Sequence, residues 1–352
     1  MRSFAIMLLS TAAAATVIEL GAQQMNMSVV FPPSLLPHFV DTTPKPIADD
    51  RLGDSCPDDI WENLINQSYP SLPYRVVDDY TRDGAETTRT GSMPIVTASS
   101  ASLVATFFPA TGGKLASITA NNEELLFRNP VYQPANLGRL NAWTSGGVEW
   151  NWPRLGHSVF TSQPVFVAEV ATARGPLVRV YEFDREMNTT WQVDAFLPPN
   201  GTTLWTRVTV NNPNPTPVAG YWWTNVGAKI GERSRVVLPA DLAIVSTGDD
   251  PARPLEAAPF PFFADAGANA SFAPTDHSYP ANYGKARENF IRGGGGDHAF
   301  MSIHDGRGRG LLHAQSATQA EGRKYWVWGT DDDDAARMRF LSSPGDGDYV
   351  EL

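Results

Sequence analysis

From Pro94 onward the chain takes up a two-residue rhythm that excludes most folds. PIVTA, LVATFFPA, PVFVAEVAT, LVRVYEF, TTWQVDAFL, TLWTRVTVNN and AGYWWTNVGAKI are short, rich in Val, Thr and aromatics, and separated by Pro, Gly and Asn. Such runs are half-buried strands bounded by turns. A parallel sheet would need a crossover helix between strands, and no amphipathic helical stretch separates these. The expectation is an all-β fold, a large antiparallel β-sandwich over residues 94–352. A long loop region follows Ile244, from TGDDPARP to the glycines at 293–296, and strands resume with HAFMSIHD, GRGLLHAQSA, GRKYWVWGT, MRFLSS and DYVEL.

Residues 23–93 are rich in Pro, Asp and Asn, and PPSLLPHF and TTPKPIADD sustain neither a helix nor an inner strand. An irregular N-terminal arm is expected there, with one short helix over Cys56–Ile65. Ahead of it, Arg2 and the apolar run Phe4–Ile18 have the form of a secretory signal over residues 1–22, cleaved near Ala22, which leaves no membrane anchor behind. Glycosylation sequons at Asn26, Asn66, Asn188, Asn200 and Asn269 fit an extracellular glycoprotein. Cys56 is the single cysteine, so no intramolecular disulfide staples the core.

A net charge of −11 without a basic stripe argues against a nucleic-acid partner. There is no His-Glu-x-x-His, no Gly-x-Ser-x-Gly, no Lys-Ser/Thr after Gly293–Gly296, and no calcium-loop spacing at Asp331–Asp334. Neither a cofactor nor a metal is expected.

The chemistry concentrates in LLFRNPVYQPANLGRLNAWTSGGVEWNWPRLGH, residues 125–157. Paired glycines, tryptophans, a carboxylate and a histidine suit a sugar, whose C–H face stacks on indole and whose hydroxyls need fixed polar partners. Glu149 reads as a pocket carboxylate, and His157 as an acid or sugar donor. Trp222 and Trp223 point to opposite sides of a strand, and Asn225 shares the side of Trp223. Arg128 either anchors a substrate carboxylate or makes an internal ion pair, and Arg323 and Lys324 divide the same way.

NEELLFRNP, SGGVEWNWPRLGH, VRVYEFDRE, LWTRVTVNNPN, GYWWTNVG, SYPANYGKARENFI and GRKYWVWGT, taken together, resemble an uncharacterised family of galactose-mutarotase-like domains, often found ahead of tetratricopeptide repeats in bacteria. The resemblance covers about residues 70–352 and implies the large sandwich of that superfamily. In its mutarotases and epimerases a Glu on a late strand takes the anomeric hydroxyl proton while a His protonates the ring oxygen. Glu351 of DYVEL matches the Glu, whereas Tyr221–Asn225 stands where the His would be, so His157 or His313 would have to supply it. The family pattern continues beyond Glu351, which implies a chain short at its C-terminus with Glu351 poorly held. The expectation is an oligosaccharide- or polysaccharide-directed protein, epimerase-like or hydrolase-like at an anomeric or glycosidic carbon. Its catalytic candidates are Glu351, Glu149 and His157, and its binding candidates are Arg128, Trp150, Asn151, Trp223, Asn225, His313 and Arg323. The alternative is a non-catalytic glycan-binding protein that keeps the cleft.

Overall fold

The computed structural model describes residues 15–28, 39–40, 74–75, 88–132, 143–153, 156–246, 255–263, 275–284, 286–293, 299–316, 322–327 and 349–352. The expected helix at Cys56–Ile65, the sequons at Asn66 and Asn269, and the Asp331–Asp334 run lie outside them. No α-helix occurs among the described residues, and the architecture is the expected β-sandwich.

One layer is a 13-stranded sheet. Its spatial order is Leu255–Pro259, Ala240–Ser246, Arg287–Gly293, Gly322–Val327, Tyr349–Glu351, Trp223–Lys229, Val148–Asn151, Lys114–Ala120, Leu103–Phe108, Thr88–Ser99, Val17–Ser28 and Val131–Tyr132, with Glu123–Glu124 beside Lys114–Ala120. The pairings are antiparallel except between Val17–Ser28 and Val131–Tyr132. Opposing it are a four-stranded sheet, Phe166–Val170 to Trp205–Asn211, and a three-stranded sheet of Arg235–Val237, Ala299–His304 and Gly310–Gln315. Alternation along each strand builds the core between the layers. Phe107, Val148, Trp150, Val226, Val350 and Val327 from the large sheet join Val178, Val180, Trp191 and Val193 from the second sheet and Val236, Met301 and Ile303 from the third in one cluster.

Two stretches depart from the sequence expectation. Val17–Ser28 forms a 12-residue strand across the predicted cleavage point and into the predicted arm, in register with Thr88–Ser99 from Val17↔Ser99 to Ser28↔Thr88. The long loop region contains the strands Leu255–Pro259, Phe262–Phe263, Thr275–Asp276 and Arg287–Gly293. Arg287–Gly293 escapes a hydrophobicity reading because its inward positions include polar Arg287 and Asn289, both buried. Asn289 is satisfied there: its Nδ2 donates to the Tyr325 carbonyl at 3.0 Å, and it accepts from the Tyr283 hydroxyl at 3.2 Å.

Candidate functional site

The site lies on the face of the large sheet that points away from the core, where three neighbouring strands bring their alternate side chains together. Trp223–Lys229 pairs with Val148–Asn151 as Trp223↔Asn151 and Asn225↔Glu149, and with Tyr349–Glu351 as Gly227↔Glu351. Directly paired residues share a face, as do residues two apart. Glu149, Asn151, Trp223, Asn225 and Glu351 therefore stand on one side. On the next strand, Trp326 faces Glu351, and Lys324 joins the same side.

Glu351 is not poorly held, contrary to the expectation. Tyr349–Glu351 is paired on both edges, by Trp223–Lys229 and by Gly322–Val327, and Tyr349, Val350, Glu351 and Leu352 are all buried. Phe127 stacks on Tyr349, with ring centroids 4.2 Å apart. The segment carrying Phe127 reaches this position because its neighbours are glycines. Phe127 N donates to Gly227 O at 2.9 Å and Gly227 N to Gly147 O at 2.8 Å. Gly146 and Gly147 take positive φ of 76° and 71°, and a Cβ on Gly147 would come 2.6 Å from the Leu115 carbonyl oxygen.

Glu149 is 3% exposed yet well satisfied. His157 Nδ1 lies 3.0 Å from its Oε2, Trp143 Nε1 donates to Oε2 at 3.2 Å, and Asn225 Nδ2 donates to Oε2 at 3.3 Å. Burial works to raise its pKa, but the charge and hydrogen bond of His157, the charge of Lys114 and the Trp143 hydrogen bond prevail and bring it down to about 2. Glu351 goes the other way. Burial raises its pKa and the charge of Glu149 adds to that, against the charges of Lys324 and His157 and a hydrogen bond from Asn225.

His157 reaches Glu149 from the bend at Gly156–His157, between Trp143 and Trp223, with ring centroids 5.0 and 5.3 Å away. Trp223 Nε1 donates to Gly156 O at 3.2 Å and so ties that bend to the central strand. With Nδ1 committed to Glu149, Nε2 is the ring nitrogen left for a ligand. Lys324 Nζ sits 4.6 Å from the Trp223 ring centroid and 3.1 Å from Glu288 Oε1. Asn151 is fully buried; its Oδ1 accepts from Ser158 N at 2.7 Å, while Nδ2 has no hydrogen-bond partner.

Four predicted residues lie elsewhere. Trp150 turns to the core, 5% exposed, with Nε1 donating to Gly113 O at 3.0 Å, because it follows Glu149 by one position in a strand. Arg323 precedes Lys324 by one, so it also turns inward. His313 pairs with Met301, a core residue, on the three-stranded sheet, and its pKa falls to about 4 through burial and the charge of Arg323. His313 therefore does not reach the cleft, and His157 does. Arg128 lies beside the site rather than in it, in a bridge with Gly146.

Sequence reasoning missed Trp143, Lys114 and the choice of Lys324 over Arg323. Parity against Trp326 would have found Lys324, given the pairing Trp326↔Glu351; Lys114 and Trp143 meet the site only through tertiary contact. Among the described residues no group of His, Cys, Asp and Glu is arranged to hold a metal.

The family described as Domain of unknown function (DUF5107) matches residues 65–352. A TPR-domain containing protein from Parabacteroides distasonis is similar in structure, with 18% identity and a TM-score of 0.67, over 96% of this chain and 50% of that one. The chain thus spans half the length of that relative, and the likeness supports the sandwich fold. Galactose mutarotase-like proteins from Lactobacillus casei and Clostridium acetobutylicum match at 12% and 13% identity with TM-scores of 0.49 and 0.48. They cover 73% and 74% of this chain, and 86% and 83% of their own.

Proposed function

The chain belongs to the DUF5107 family, and from that premise and the geometry of the cleft we propose that it binds a sugar and interconverts its anomers. The observation that carries the reading is the Glu149–His157 pair at 3.0 Å on the same sheet face as Glu351. Ring opening needs a base at the anomeric hydroxyl and an acid at the ring oxygen, and the two must begin in opposite protonation states. Glu351 is the base. Its raised pKa makes it a stronger acceptor than an exposed carboxylate. His157 is the acid, oriented by Glu149 through Nδ1 and presenting Nε2–H to the sugar.

Glu351 takes the proton from O1, the C1–O5 bond breaks as C1=O1 forms, and O5 receives the proton from His157. After rotation about C1–C2, O5 attacks the other face of C1; O1 regains its proton from Glu351 and O5 returns its own to His157. On this reading Asn225 takes a sugar hydroxyl and Trp223 meets the sugar ring, whereas Asn151 is fully enclosed and has no surface to offer a ligand. Glu149 orients the acid and touches no reacting atom. The leader-like run Phe4–Ile18 supports export, which cell fractionation tests.

The test is anomer exchange followed by NMR on a panel of free sugars, with the parent chain and His157→Asn. Loss of exchange in the variant with binding retained supports the assignment. Exchange at parental rate in the variant removes His157 from the chemistry. A second reading, binding without turnover, draws on Lys324 over Trp223, which occupies one indole face; saturable binding with no exchange in either protein decides for it.

A further inference from the structure

Beside the Glu149 cluster, on the same side of the large sheet, lies a small open cleft, with about 30 Å³ of enclosed room, that the anomeric chemistry does not use. Its apolar end is Met25 and Phe108, and its polar end is Lys114, Arg128, Asn129 and Ser145. No carboxylate stands among its described lining residues. A positive pocket in a chain of net charge −11 runs against the average field of the molecule, so it selects for a local negative charge.

The two cations are not equivalent. Lys114 is 6% exposed, and its Nζ donates to the Thr144 carbonyl and, at 3.1 Å, to Thr144 Oγ1. An ammonium has three donors, so one remains. Arg128 is half-buried, and among the described residues neither an ion pair nor a side-chain hydrogen bond engages its guanidinium. Lys114 also links the cleft to the chemistry. It is next to Leu115, which pairs with Val148, so it comes level with Glu149; burial lowers its pKa, and the charges of Glu149 and Glu351 work against that and favour its ammonium form.

We propose that the sugar taken at this site is acidic, a pyranose bearing a carboxylate remote from the anomeric carbon, with that carboxylate seated between Arg128 and Lys114. This rests on the sugar-site reading above and narrows it. A free guanidinium fork and one ammonium N–H match the two oxygens of a planar carboxylate. A phosphate, with three oxygens to satisfy, would outrun the donors left uncommitted.

The experiment uses the full chain, with calorimetry and NMR anomer exchange for glucuronate, galacturonate, glucose, galactose and glucose 6-phosphate. It compares the parent with Arg128→Gln, Arg128→Lys and Glu351→Gln, each checked for folding by circular dichroism. Expected is a preference for uronates over the matching neutral sugars of about tenfold or more, the scale of one charge-assisted hydrogen-bonded contact. It should weaken with salt, collapse in Arg128→Gln and recover in part in Arg128→Lys. Equal affinity for neutral and acidic sugars, a stronger preference for the phosphate, or a uronate ratio unmoved by Arg128→Gln overturns the inference. Uronates that bind through Arg128 and are never exchanged uphold the substrate class and sink the catalytic reading. Neutral sugars exchanged as well as acidic ones do the reverse.

Discussion

Glu149 and Glu351 hold one amide between them: Asn225 Nδ2 lies 3.3 Å from Glu149 Oε2, and the same side chain hydrogen-bonds Glu351. Both carboxylates are buried on one sheet face, and their surroundings drive them apart. Glu149 has His157, Lys114 and Trp143 to hold its charge, and Glu351 has burial and the charge of Glu149 against it. On the proposed reading these two like groups take different tasks, one a fixed anion and one an adjustable base.

Glu351→Gln keeps the shape and the Asn225 contact but cannot accept the proton. The expected loss in anomer exchange is about 10²- to 10⁴-fold, the usual worth of a positioned base, with sugar affinity changed little. In the parent, kcat/KM should fall on the acid side at a pH above 4.5, the ordinary glutamate value, because burial raises Glu351. An acid limb at or below 4.5, or a variant as fast as the parent, takes Glu351 out of the base role.

Glu149 contributes acid-dependent stability. Its folded pKa, about 2, is below the ordinary 4.5, so the stabilisation is complete above 4.5 and is lost as pH falls toward 2. A depression of that size corresponds to about 3 kcal/mol, since each unit is worth about 1.4 kcal/mol. Denaturant melts between pH 5 and 2 should show that slope in the parent and a much smaller one in Glu149→Gln, which will itself be less stable at neutral pH because His157 and Trp143 lose their acceptor. Parallel pH slopes in the two proteins would contradict the ion pair.

His313 gives a second acid-sensitive position, at a different pH. Its folded pKa of about 4 lies below the ordinary 6.5, because burial and Arg323 oppose its charge. Protonating it is easier in the unfolded chain, so the stability it permits is full above 6.5 and declines as pH falls toward 4. His313→Leu should flatten the stability profile between those values while leaving the Glu149 slope below it intact. A proton resonance of His313 titrating near 6.5 would remove the burial argument.

The strand rhythm made the layer architecture legible, and strand parity put Trp223 and Asn225 on one face before any coordinates. Parity also explains the errors. Glu149 and Trp150 are adjacent, as are Arg323 and Lys324, so at most one of each pair can face the cleft, and choosing both Glu149 and Trp150 ignored the alternation. Choosing Lys324 over Arg323 required knowing that Trp326 pairs with Glu351, a register set by residues remote in sequence. Lys114 was hidden for the same reason, and Arg287–Gly293 because a strand whose inward positions carry Arg and Asn does not look amphipathic.

The N-terminal strand supplies the last prediction. Val17–Ser28 makes twelve register pairs with Thr88–Ser99, and residues 17–22 account for half of them. Thr16 adds a buried hydrogen bond from its Oγ1 to the Leu197 carbonyl at 2.6 Å, which crosses from this edge to the end of the four-stranded sheet's Thr189–Phe196 strand. Removing residues 1–22 would strip six pairs and this contact, and it would bare the ladder edge of Thr88–Ser99 along that length. At a net 0.5–1.5 kcal/mol per hydrogen bond and about one bond per pair, the loss should be about 3–10 kcal/mol, a large share of the stability of an ordinary domain. Removing residues 1–14 spares all of these contacts. Chains beginning at Ala15 and at Gln23, compared by thermal melts and by aggregation on size exclusion, should differ by that margin, with the shorter one associating through the bared edge. Equal melting of the two would mean that the first half of the strand contributes nothing to the fold, and processing near Ala22 would then cost the sandwich nothing.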